Sequence, residues 1–173
     1  MTMRIRIAEP HDVAAIAAIY GHYVLHGLGT FELEPPGEAE MRRRFDIIKD
    51  GGFPYFVAEV DGRVAGYSYA GTYRPRPGYR FSLEDSIYVA PEHAGAGIGR
   101  ALLERLLPAC EAIGCRQLIA IIGDSGNTPS IALHEAMGFV HVGVLKSIGF
   151  KFGRWVDTVV MQRPLGAGDA TLP

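Results

Sequence analysis

Behind Pro10, apolar residues at Val13, Ile16, Ala17, Tyr20, Tyr23 and Val24 recur at intervals of three and four, the spacing of one face of a helix. The preceding residues 4–8 alternate and predict a short strand. Two breaks, at Gly27 and Gly29 and at Pro35-Pro36-Gly37, enclose Thr30-Phe31-Glu32 and predict a loop. Met41, Phe45 and Ile48 mark a second helix that stops near Gly51 and Gly52. Runs at 55–60 and 63–70 are separated only by Asp61-Gly62, whose tolerance of positive φ suits a primed hairpin turn. After the loop Arg74-Pro75-Arg76-Pro77-Gly78, residues 81–89 alternate again. Leu83, Asp85, Ile87 and Val89 fall on one face of this strand, and Glu84, Ser86 and Tyr88 on the other.

Helical spacing returns over 98–113, where Leu102, Leu106, Ala109, Cys110 and Ile113 form one stripe. Pro108 lies inside it and predicts a kink or local irregularity, because an interior proline removes a donor at a cost of about 3 kcal/mol. Residues 117–122 are nearly all apolar and predict a strand buried on both faces. Thr128 and Pro129 open a short helix that Gly138 ends; strand-like runs follow at 139–145 and 156–162. This order predicts an α/β fold of mixed (α+β) character: six to seven strands flanked by about four helices, antiparallel first, with a parallel strand-helix-strand crossover in the middle. Residues 1–165 are expected to form a single domain, and 166–173 a frayed tail.

Composition sharpens this picture. A chain of 173 residues that is 48% hydrophobic and 21% charged suits one globular domain. Seventeen Lys plus Arg against nineteen Asp plus Glu leave a net charge of -2, which argues against a broad cationic surface for nucleic acid or anionic lipid. No apolar run is long enough to cross a bilayer, and the N-terminus alternates Arg and Ile where a signal peptide would be apolar, so a cytoplasmic protein is expected. Cys110 and Cys115 lack CxxC spacing and are expected as free buried thiols. His22 and His26 have HxxxH spacing but no third ligand or HExxH glutamate, so no metal site is expected.

The most specific chemistry lies in Ile87-Tyr88-Val89-Ala90-Pro91-Glu92-His93-Ala94-Gly95-Ala96-Gly97-Ile98-Gly99-Arg100, a strand, a loop with alternate glycines, and a helix. Glycines let backbone N–H groups converge, and the helix N-terminus adds a partial charge of roughly +0.5, a combination that favours a pyrophosphate. Arg100 adds a formal charge. A tight turn alone would hardly need so many glycines. A Walker loop would place Gly-Lys-Ser/Thr where the chain reads Gly99-Arg100-Ala101, and a dinucleotide fingerprint would have GxGxxG in the first strand-helix unit. Neither template fits.

This loop resembles motif A of the GNAT N-acetyltransferase superfamily, whose corresponding loop binds the pyrophosphate of coenzyme A. The resemblance runs over residues 4–165. It is closest to the phosphinothricin and methionine sulfoximine/sulfone N-acetyltransferase group, through Thr30-Phe31-Glu32, Tyr73-Arg74-Pro75-Arg76, Leu83-Glu84-Asp85-Ser86-Ile87-Tyr88-Val89, Asn127 with Ser130-Ile131-Ala132-Leu133-His134-Glu135, and Gly149-Phe150-Lys151-Phe152-Gly153-Arg154-Trp155. One departure is Ala94, where the superfamily usually has Arg or Gln, so the amides of Gly95, Ala96, Gly97, Ile98, Gly99 and Arg100 must carry more of the phosphate binding.

The resemblance implies acetyl transfer from acetyl-CoA, without a metal, to the α-amino group of a small amino-acid-like substrate in a homodimeric enzyme. Such transfer needs a neutral nitrogen, a stabilised oxyanion and a proton for the departing thiolate. Glu84 is the candidate base, and the Val89 N–H the candidate oxyanion donor at the end of Ile87-Tyr88-Val89. Many members have a Tyr acid where this chain has His134, which becomes a candidate acid or second base. Asn127 is expected at the pantetheine. Arg74 and Arg76 suit a substrate carboxylate, since a guanidinium matches it bidentately. Phe31, Glu32 and Tyr79 would complete the pocket, with Glu32 toward the substrate ammonium and Lys151 toward its oxygen-bearing end. The competing readings are a polyamine or protein N-terminal acetyltransferase, and a non-catalytic acyl-CoA-binding sensor.

Overall fold

In a computed structural model that describes residues 2–173, the chain runs β1 (Met3–Ile7), α1 (Val13–His26), α2 (Glu38–Asp50), β2 (Tyr55–Val60), β3 (Arg63–Thr72), β4 (Ser82–Val89), α3 (Ile98–Ala112), β5 (Gln117–Gly123), α4 (Thr128–Ala136), β6 (Val140–Lys151) and β7 (Arg154–Pro164). The strands form one seven-stranded sheet in the order β1-β2-β3-β4-β5-β7-β6. Every pairing is antiparallel except that of β4 with β5, the crossover expected through α3. The β2–β3 turn has φ of 46° at Asp61 and 82° at Gly62, the primed geometry that an Asp-Gly pair favours.

The two-residue alternation on the strands divides the core between the sheet's faces. On one, Leu102, Leu103, Leu106 and Cys110 of α3 pack against Phe56, Leu83 and Leu118; on the other, Ile16 and Phe45 of α1 and α2 pack against Tyr55, Val57 and Tyr67. Each fully buried leucine contributes about 1.5–3 kcal/mol. Cys110 and Cys115 are both buried free thiols.

Three local features add to what the sequence pattern predicts. Helix α3 runs through Pro108 without interruption. The proline is exposed, so water can meet the Glu104 carbonyl that loses its donor. Ile121 of β5 is half-open because it borders a cleft, while Leu118, Ala120 and Ile122 are buried as expected. Strands β6 and β7 are longer than 139–145 and 156–162 and meet in a hairpin turn at Phe152 and Gly153, both at positive φ. Their register shifts between Leu145 and Gly149, where the Asp157 carboxylate accepts from the Ser147 N–H at 2.8 Å and from Lys146 Nζ at 3.1 Å. At the C-terminus, Gly168 N–H donates to Leu165 O, and Arg116 donates to Gly168 O and Thr171 Oγ1.

Candidate active site

The sheet opens at its centre. Strand β4 pairs with β5 only from Ser82 to Glu84, against Gln117 to Ile119, and the two strands then part. Between them lies a cleft of about 910 Å³, floored by Glu84 to Val89 and by Ala120 to Gly123 and closed by the glycine loop and α4. The hydrogen-bonding rhythm of β4 shows what faces this opening. Val89 stands opposite Gly66 while the Ala90 N–H donates to Ala65 O at 2.8 Å, which makes 66 and 89 a non-hydrogen-bonded pair. The Val89 N–H therefore points away from β3 and into the cleft, and Ile87, two residues earlier, does the same. The Val89 carbonyl accepts from the Tyr23 hydroxyl at 2.6 Å, a contact that ties α1 to this strand end and that helix periodicity alone does not reveal.

The glycine loop is built for open amides. Gly95 and Gly97 have φ of 76° and 81°, the left-handed region that a side chain disfavours. Gly97 caps α3, whose first backbone bond is Ala101 N–H to Gly97 O, so the amides of Ile98, Gly99 and Arg100 lie outside the helical ladder. A Cβ on Gly99 would come within 3.0 Å of the Leu133 side chain, so glycine also lets α3 and α4 close together. Ala96 departs from the expectation. It is not part of the cleft wall, and its N–H is used within the turn, donating to His93 O at 3.2 Å. Ile98 is buried and can offer only its backbone, and Arg100 pairs with Glu104 at 2.9 Å. Asn127 lies on the cleft wall and caps α4, accepting from the Ser130 N–H.

Glu84 projects half-buried into the cleft, and burial together with the neighbouring Asp85 charge raises its carboxyl above the usual range, against the opposing pull of Arg74. His134 borders the same cleft, but both of its nitrogens are committed. Nδ1 donates to the Ser130 carbonyl at 2.7 Å, and Nε2 stands 2.9 Å from the Asp85 carboxylate. With Nδ1 carrying a proton, Nε2 meets the carboxylate favourably as a second N–H, the imidazolium form. Burial alone would lower the His134 pKa, yet the hydrogen bond and charge of Asp85 outweigh it and raise it. The pair is at most 4% exposed on either side chain and pins α4 to β4. Asp85 stands among Leu83, Ile87 and Val89 on a core-facing side of β4, where a carboxylate requires a partner, and His134 supplies it.

On the acceptor side, the structure brings Phe31 to the cleft, its ring lying flat enough on Gly149 that a Cβ there would approach within 2.7 Å. Arg74 and Arg76 sit exposed on the loop after β3, with no carboxylate partner among the described residues; Arg74 stacks on Tyr73, whose ring meets Tyr79 edge-on. Tyr79 lies outside the cleft wall. Two of the expected substrate contacts, Glu32 and Lys151, have partners within the chain. The Glu32 carboxylate is gripped by the Arg44 guanidinium at 2.8 and 2.9 Å and by the Tyr20 hydroxyl, and the Arg44 bonds hold its pKa low. Lys151 is buried, and its ammonium donates to the carbonyls of Gly27 and Thr30, both at 2.8 Å, and more weakly to Tyr23 O. It fastens the hairpin tip to the end of α1. His22 and His26 lie ring against ring on α1, with centroids 4.9 Å apart, and no cluster of three potential metal ligands occurs among the described residues.

The acetyltransferase (GNAT) family model matches residues 14–139. The phosphinothricin N-acetyltransferase of Alcaligenes faecalis is 58% identical over 169 residues, covering 98% of this chain and 86% of the relative. The L-methionine sulfoximine/L-methionine sulfone acetyltransferase of Salmonella typhimurium is 37% identical, covering 94% of this chain and 95% of its own. The crystal structure of a GNAT superfamily phosphinothricin acetyltransferase from Sinorhizobium meliloti, in complex with AcCoA, superposes with a TM-score of 0.96 at 51% identity, covering 100% of this chain and 94% of that one.

Proposed function

The chain belongs to the GNAT acetyltransferase family, and from that premise we propose that it transfers the acetyl group of acetyl-CoA to the α-amino group of a small amino-acid-like acceptor: phosphinothricin, methionine sulfoximine or methionine sulfone. The observation that carries this reading is the sharing of one cleft by a raised-pKa carboxylate, Glu84, and a row of open amides at Val89, Gly95, Gly97, Ile98, Gly99 and Arg100. The loop amides receive the diphosphate of acetyl-CoA, and its pantetheine arm lies along the parted edges of β4 and β5, with Asn127 on the opposite wall. The acceptor's α-ammonium gives a proton to Glu84, directly or through a water. Its nitrogen then bonds to the thioester carbon, and the carbonyl oxygen takes up the π pair facing the Val89 N–H. Collapse breaks the carbon–sulfur bond, and the proton shed by the nitrogen passes to the leaving sulfur. His134, held on both sides, positions α4 in this scheme and does not deliver that proton. Arg74 and Arg76 hold the acceptor's carboxylate.

The enzyme acts in the cytoplasm, a compartment consistent with its two free buried thiols. It also acts as a homodimer, which the exposed apolar residues of β6 support. The test of the chemistry is thiol release from acetyl-CoA with a panel of amino acids, polyamines and peptides. Saturable turnover with the amino-acid analogues supports the proposal. Tight acetyl-CoA binding without thiol release across the panel would establish a sensor instead.

A further inference from the structure

A second cavity, of about 380 Å³, lies on the opposite face of β4 from His134 and shares Ser86 and Tyr88 with the cleft. That volume lies within the range of roughly 300–1,000 Å³ usual for small-molecule sites. Its wall is a row of phenols from three adjacent strands, Tyr55 of β2, Tyr67 and Tyr69 of β3 and Tyr88 of β4, stacked across the sheet with centroids 4.9 to 6.5 Å apart. Met41 and Phe45 of α2 form an apolar roof. Among the described residues only Ser68 Oγ is sealed without a hydrogen-bond partner, so the phenol oxygens of this row open onto the cavity and are not locked in a dry core. Tyr55, Tyr67 and Tyr88 have no hydrogen-bond partner for their hydroxyls among the described residues, and burial keeps all three protonated, well above the usual phenol range. They are donors without acceptors.

The order of groups along β4 aligns this cavity with an amino acid. Arg74 lies beyond the β3 end of the site and acts on Glu84; Ser86 and Tyr88 follow Glu84 on the same strand face. From Glu84 to Ser86 is roughly 7 Å along the strand, about the span from an amine to the oxygen of a five-atom side chain. Charge narrows the ligand further. Arg44, the cation on the cavity wall, is already held by the carboxylates of Glu32 and Glu40, so an anionic tip would meet no free positive charge there.

We propose that this cavity is the side-chain subsite of the acceptor, and that the hydroxyls of Tyr55, Tyr67 and Tyr88 donate to a neutral oxygen-bearing tip, that of a sulfone or sulfoximine in preference to a phosphinate anion. The assignment rests on the acetyl-transfer reading above. It is tested by comparing kcat/KM for methionine sulfone and for norleucine, a chain of the same length without the oxygens, in the wild type and in Tyr67→Phe and Tyr55→Phe. Loss of one donor is expected to lower the sulfone-to-norleucine ratio by roughly tenfold in at least one variant. A folding defect lowers both acceptors alike and leaves the ratio unchanged. The wild type is expected to favour methionine sulfone over phosphinothricin. An unchanged ratio in both variants, or a preference for phosphinothricin, would overturn the subsite while leaving the acetyl-transfer reading standing. No thiol release with any amino acid would overturn both.

Discussion

Glu84 and His134 illustrate how two titratable groups on neighbouring elements take different work from their surroundings. Glu84 sits in the cleft with its pKa raised by burial and by Asp85, so it is a stronger base than an exposed glutamate. A base acts deprotonated, hence kcat/KM is expected to rise with pH through a value above the 4.5 of an ordinary glutamate. In Glu84→Gln that limb disappears and kcat falls by roughly 10²–10⁴-fold, while acetyl-CoA binding measured by calorimetry stays within about twofold. His134 shows its charge in stability instead. Its folded pKa lies above the unfolded 6.5, so the stabilisation from its pair with Asp85 is fully present below pH 6.5 and is lost as pH rises through the folded value. Each pH unit between the two values is worth about 1.4 kcal/mol. Thermal unfolding midpoints from pH 6 to 9 should decline more steeply in the wild type than in His134→Gln. Equal slopes would refute the ion-paired reading.

At the scale of elements, most of the fold was legible in the sequence, and what was hidden lay in contacts between elements. The β2–β3 hairpin, the crossover through α3 and the two faces of β4 follow from Asp61-Gly62, from the leucine stripe and from strict alternation. The tip of the β6–β7 hairpin did not, because Lys146, Ser147 and the glycines at 149 and 153 interrupt the two-residue pattern and the strands continue past a bulge. The same applies to the site. The open amides of the glycine loop and the position of Glu84 on β4 follow from local sequence, whereas the partners of Glu32 and Lys151, Arg44 and the carbonyls at the end of α1, lie far from them along the chain and leave no local signal. Lys151 joins two elements beside Phe31, and its loss has a definite signature. Lys151→Met leaves the Gly27 and Thr30 carbonyls without their donor, at roughly 1–3 kcal/mol. The KM for the amino-acid acceptor is expected to rise by more than that for acetyl-CoA, since the loosened segment borders Phe31 and not the glycine loop. Equal increases in steady-state assays would count against that division.

The molecule as a whole carries an apolar surface that its own chain leaves uncovered. Strand β6 is the sheet's edge, and Val140, Val142, Leu145, Ile148 and Phe150 along it are all more than half exposed, with Trp155 beside them on β7 at 67%. Edge strands that remain free in solution are usually short or protected by charge or proline, and this one runs for twelve residues with Lys146 and Lys151 as its only formal charges. Five or six large side chains of this kind amount to several hundred Å² of apolar surface, comparable with one side of a standard protein–protein interface of roughly 800 Å² per partner. A second copy meeting the first through a twofold axis at β6 would cover both edges at once, since a twofold contact places the same patch on each side. Its position also matters for catalysis, because Gly149 of β6 supports Phe31 at the cleft, so closing the edge would steady the acceptor side of the site. The double variant Val142→Asp/Ile148→Asp is therefore expected to sediment as a monomer at concentrations where the wild type sediments as a dimer. Its acceptor KM should rise and its affinity for acetyl-CoA should persist. A wild type that sediments as a monomer at micromolar concentration, or a double variant that remains dimeric, would remove β6 from the interface.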